Sequence, residues 1–199
     1  ICIVVEDILI PNRTFYQTKE RADAFRSRVE IRTGDRFIIN RDIEKSIALA
    51  YYDKIKARRK NQKENKPFFS SPKLDELLER DLGHYYDAVQ KEATDEMKKI
   101  KFFEKIEPCM RKAREVHESV HINLLRKGNT PEIEAQAKLR EIGFAPFPFV
   151  ALYETLFFRD APDRIQRESS LLVEKECVRK LKSGEALYHI ERKELKQTA

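Results

Sequence analysis

One five-residue stretch of this chain has the residue types and the spacing to do chemistry: His117-Glu118-Ser119-Val120-His121, a match to H-E-x-x-H. On a helix, residues four apart lie one above the other, so both imidazoles can reach a single zinc ion. The intervening glutamate then serves as general base for the water on that ion. Such a site needs a third protein ligand. Glu141, which follows His121 by 20 residues near the end of the next predicted helix, is the candidate.

Taken together, His117, Glu118, His121 and Glu141 resemble the arrangement in thermolysin-like zinc peptidases, where a glutamate from the following helix completes the site. The resemblance covers those four residues and implies a zinc metallohydrolase with Glu118 as catalytic base and His117, His121 and Glu141 as metal ligands. A metzincin would carry glycine at 124 and histidine at 127; Leu124 and Lys127 stand there, which excludes that branch. The flanking residues read differently. Zinc-peptidase helices are apolar around their histidines, whereas Arg114 and Glu115 precede this motif and Asn123 follows it. Three fixed positions also recur by chance in a chain of this length. The context therefore favours two histidines at the edge of an apolar stripe, with Glu118 on the solvated side.

Other chemistry is sparser. Asp163 with Glu191 and Lys193 is a loose acid-and-lysine set of the kind that holds magnesium in nucleases, expected by accident at 37% charged residues. Cys109 lies eight residues from His117, ~12 Å along a helix, too far to share one ion. No Ser-His-Asp spacing, Walker loop or dinucleotide fingerprint occurs. Only 5 glycines are present, too few for the phosphate loops and tight turns of a nucleotide-binding α/β fold. The 3 cysteines form no C-x-x-C pair, which suits a reducing compartment such as cytoplasm or mitochondrial matrix. The first residues lack a basic region and meet Glu6 and Asp7, unlike a signal peptide. No run reaches the ~18 apolar residues of a membrane helix.

The elements that must position these residues are mostly helices. Ile1–Val5 and Ile8–Ile10 read as a buried strand, and residues 18–27 as a short helix. Residues 29–39 read as a β-hairpin turning at Gly34-Asp35. Asn40 or Asp42 caps a helix with Ile43, Ile47, Tyr51 and Ile55 on one face. Its far end carries Lys54, Lys56, Arg58, Arg59, Lys60 and Lys63, cations that could track nucleic-acid phosphates. After Pro67 and Pro72 a seam of Leu74, Leu78, Leu82, Tyr85, Val89, Ala93, Met97 and Ile100 predicts a single helix of roughly seven turns. Pro108 kinks or restarts it, and Gly128-Asn129 closes it. Thr130-Pro131-Glu132 starts the next helix. The aromatic stretch holding Phe144, Phe147, Phe149, Phe157 and Phe158 reads as a docking segment. A last helix buries Ile165, Leu172, Cys177 and Leu181.

The fold expected is mainly α, built on long charged amphipathic helices with a small N-terminal β-hairpin. The division expected is 1–66, hairpin plus basic helix, and 67–199, helical domain, or one continuous domain. Net charge of +6 at pI about 9.1 favours acidic partners. The function these features favour is a non-catalytic helical subunit of a larger assembly, a ribonucleoprotein. It would contact RNA through the basic helix end and other protein subunits through the phenylalanines, and hold no cofactor. The alternative is the zinc hydrolase.

Overall fold

The structure, a computed structural model, describes residues 29–33, 36–64, 72–124, 130–181 and 189–198. The strand expected over residues 1–10, the helix over 18–27 and the Gly128-Asn129 cap lie outside them. The described body is mainly helical. Residues Val29–Thr33 and Arg36–Ile39 pair antiparallel ahead of it, with an irregular register.

Seven α-helices follow among the described residues: α1 (Arg41–Glu64), α2 (Pro72–Ala88), α3 (Asp95–Asn123), α4 (Pro131–Phe144), α5 (Pro148–Phe157), α6 (Arg164–Leu181) and α7 (Arg192–Thr198). Their starts follow from local chemistry. Asn40 Oδ1 accepts the Ile43 N–H and opens α1. Thr130 Oγ1 accepts the Ile133 N–H, with Pro131 at the first position of α4. Phe147, before α5, offers no side-chain cap. Asp81 of α2 supplies one from a distance: its Oδ2 accepts the N–H groups of Phe149 and Val150 at 2.7 and 3.0 Å.

The seven-turn seam is two helices. Thr94 Oγ1 accepts the Met97 N–H at 3.2 Å, and Asp95 and Glu96 fill the first turn of α3. An N-terminus made this way turns the chain, and the apolar seam changes face. Leu78, Leu82 and Val89 are buried, but Ala93, Met97 and Ile100 are exposed, and Phe102, Phe103 and Ile106 take over the core. Pro108 stays inside α3 without ending it.

One apolar cluster joins the helices. Ile43, Ile47, Tyr51 and Ile55 of α1 lie in it with Leu78 and Leu82 of α2, Phe102 and Ile106 of α3, Leu152 of α5, Val173 of α6 and Leu195 of α7. Tyr52 meets Phe102 edge-on at 5.5 Å between ring centroids. On α6 the buried side is Val173 and Cys177, whereas Leu172, expected inside, is exposed. Against this frame α4 packs along both α3 and α6. Among the described residues no helix is long and apolar enough to cross a membrane.

Candidate metal centre

The two histidines and Glu118 lie in the interior, not at the edge of a stripe. His117, Glu118 and His121 are 6%, 5% and 4% exposed. This corrects the solvated position expected for Glu118. Helix α3 presents Arg114, His117 and His121 along one face at steps of three and four. Helix α4, running back antiparallel, presents Glu134, Lys138 and Glu141 at the same steps, all buried. The registers match: His121 faces Glu134 at one end, and Arg114 faces Glu141 at the other.

Three donors converge at the His121 end. His117 Nε2 and His121 Nε2 are 3.3 Å apart. Glu134 brings Oε2 to 3.2 Å from His121 Nε2 and Oε1 to 3.6 Å from His117 Nε2. Metal–ligand bonds of about 2.0–2.1 Å at tetrahedral angles require donor separations of roughly 3.3–3.4 Å. The two imidazole nitrogens are thus about one edge of a zinc-sized tetrahedron apart, each faces a different oxygen of Glu134, and one donor atom from each of the three residues lies within 4.8 Å of the other two. His117, His121 and Glu134 form the only metal-type group of three among the described residues.

Glu141, expected as third ligand, takes another position. Its Oε2 lies 2.9 Å from His117 Nδ1, the ring nitrogen facing away from the triangle. A carboxylate there accepts the Nδ1–H and leaves Nε2 as the nitrogen that could bind an ion. The donor that sequence reasoning missed is Glu134, two residues beyond the Thr-Pro-Glu start of α4. The signal available was its separation from Glu141, which puts both carboxylates on one face of the same helix.

The surroundings pin the acids. Gln166 of α6 donates from Nε2 to Glu134 Oε1 at 3.0 Å. Lys138 donates to the hydroxyls of Ser169 and Ser170, each at 2.9 Å. Arg114 reaches carboxylates of three helices: Glu44 of α1, Glu141 of α4 and Glu154 of α5. Tyr51 donates its hydroxyl to Glu154. Burial alone would push the His117 imidazole down, but Glu134 and Glu141 outweigh it and lift its pKa to about 9. Burial would raise the Glu134 carboxyl; His117, His121 and Lys138 hold it well below its ordinary range instead. Burial lowers the Lys138 amine to about 8, with Glu134 first among the acids opposing it. The pocket thus favours positive charge at His117 Nε2, carried by a proton or by a metal ion.

The other expected sites are dispersed. Lys54 pairs with Asp75, Lys56 with Asp95, Arg58 with Glu76, and Arg59 with Glu79 and Asp87. These cations join α1 to α2 and to the start of α3, and their charge is matched within the chain. Lys60 is exposed, and the Lys63 side chain lies outside the described residues. Of the phenylalanines, Phe147 and Phe149 belong to the core, Phe158 is half-buried, and Phe144 and Phe157 are 70% and 55% exposed. Asp163 accepts the Gln166 N–H at the start of α6, a capping role. The chain matches no protein-family model, no curated protein and no solved structure.

Proposed function

We propose that this chain is a zinc-dependent hydrolase whose ion is held by His117, His121 and Glu134. The observation that carries this reading is the buried cluster of two imidazole nitrogens 3.3 Å apart, each facing an oxygen of the Glu134 carboxylate at 3.2 or 3.6 Å, with a second carboxylate on the outer nitrogen of His117. His117, His121 and Glu134 would hold the ion as three protein ligands, which would leave room for water or substrate. A zinc ion there supplies Lewis acidity and acidifies water. Glu118, next to His117 and buried, is the candidate base that accepts the water proton. Glu134 and Glu141 favour positive charge at the centre, and His117, with His121 and Lys138 behind it, keeps Glu134 in its ionised form.

Elemental analysis of the purified chain tests the reading: about one zinc per chain is expected, and none after His121→Ala. Release of peptides from an unfolded protein substrate, abolished by chelation and restored by zinc, is the expected activity. A chain that binds no divalent ion in titration overturns the proposal.

A non-catalytic subunit of a larger assembly is the second reading, favoured by the exposed Phe144 and Phe157 rings. The internal pairing of Lys54, Lys56, Arg58 and Arg59 weighs against RNA as the partner and towards protein. Co-purification of a stoichiometric protein partner that is lost on Phe144→Ser with Phe157→Ser would support it. A monomer unchanged by the substitutions would count against it.

A further inference from the structure

We infer that Arg114 is the positioning residue of the metal centre, acting through Glu141; this rests on the zinc reading above. Arg114 lies one turn before His117 on α3, and its side chain is 7% exposed. Nη2 lies 3.8 Å from Glu141 Oε1 and 3.5 Å from Glu154 Oε2, and Nε lies 3.8 Å from Glu44 Oε1. The two oxygens of Glu141 are therefore divided: Oε1 faces the guanidinium and Oε2 faces His117 Nδ1 at 2.9 Å. A carboxylate engaged on one side only can rotate about its last bond. With a hydrogen bond to His117 on one side and the guanidinium charge at ion-pair distance on the other, it is biased towards one orientation, and so is the imidazole plane that sets the direction of Nε2.

The planar fork matters as well as the charge. Guanidinium can address carboxylates on several sides from a fixed frame, which a lysine ammonium on a flexible stem cannot do. Arg114 meets acids from α1, α4 and α5, so it sets the α3–α4 register against the rest of the body. Register is what a triangle of donors on two helices depends on.

The test is a double-mutant cycle on the full chain, read as zinc affinity by competition titration and as the visible spectrum of the cobalt-substituted protein. Glu141→Gln should weaken zinc binding 10- to 100-fold, the usual cost of losing a carboxylate behind a ligating histidine. Arg114→Lys keeps the charge and should weaken binding by a similar factor, with a cobalt spectrum shifted in the same direction. Because Arg114 acts through Glu141, the double variant should bind within about threefold of Glu141→Gln alone.

Wild-type affinity in Arg114→Lys, or a double variant whose loss is the product of the two single losses, overturns the inference. Arg114→Gln serves as a second variant. If both arginine variants fail to fold while Glu141→Gln folds, Arg114 holds the fold and not the centre, and the inference is overturned. Failure of the underlying reading is separate. If the wild-type chain binds neither zinc nor cobalt, the metal site itself is wrong. If wild type binds, His121→Ala does not, and Arg114→Lys binds normally, only the positioning role falls.

Discussion

The metal-free protein should lose stability as pH rises through the slightly alkaline range, and zinc should reverse the sign. His117 titrates near 6.5 in an unfolded chain and at about 9 in the fold. A raised imidazole pKa means that the folded state holds the proton more tightly. Its stabilisation is fully present below about pH 6.5 and disappears as pH climbs through 9. A shift of this size corresponds to about 3 kcal/mol, of which roughly half is gone by pH 8. Two other groups bracket that window. Asp81, raised to about 6 by burial, loses its own contribution between about pH 4 and 6. Lys138, lowered to about 8, acts in the opposite direction, adding stability from pH 8 upward as its buried amine sheds charge. The clean interval is therefore pH 6.5 to 8. Urea unfolding in the presence of chelator should show a fall of between 1 and 2 kcal/mol across it. With zinc bound, the ion takes the place of the Nε2 proton, so binding releases a proton and stability should rise with pH. Flat or rising stability in the chelated protein from pH 6.5 to 8 would refute the charge assignment at His117. Identical slopes with and without zinc would refute the metal site.

Glu118→Gln should retain one zinc per chain and lower hydrolysis 10²- to 10⁴-fold, checked by metal analysis beside the peptide-release assay. Thr94→Ala removes the oxygen that caps α3 and should cost about 1 kcal/mol by denaturant titration, with zinc affinity unchanged. Asp81→Asn leaves a side chain that can still accept from Phe149 or Val150 but no longer balances Arg192, which also donates to Asp81. Hydrogen exchange at the start of α5 and over α7 should accelerate more than exchange in α3.

The helices were legible wherever the sequence carried both a cap and a stripe. Asn40 with Ile43, Ile47, Tyr51 and Ile55 gave α1, and Thr130-Pro131 gave α4, because these signals are local to the backbone that obeys them. The seam from Leu74 to Ile100 misled because helical spacing can continue by accident across a break. Thr94-Asp95-Glu96 was the competing signal, and a capped N-terminus overrides a weak stripe. Asp81 was not legible at all. A carboxylate that caps a helix 68 residues away leaves no local trace in either segment.

The candidate metal centre shows the same division in sharper form. The spacing of His117 and His121 on one helix was readable, and so was the presence of a glutamate on the next helix. Which glutamate closes the triangle was not readable, because Glu134 and Glu141 lie on the same face of α4 and differ only in height along α3. The choice depends on the antiparallel register, which contacts such as Arg114 with Glu141 and Gln166 with Glu134 report. The polar flanks that argued against the motif have a physical role in that register. Arg114, unfavourable beside an ordinary apolar zinc helix, lies among Glu44, Glu141 and Glu154, which together provide the charge partners that its burial requires. A charged neighbour weighs against a buried site only until its partners are known, and here they come from three other helices.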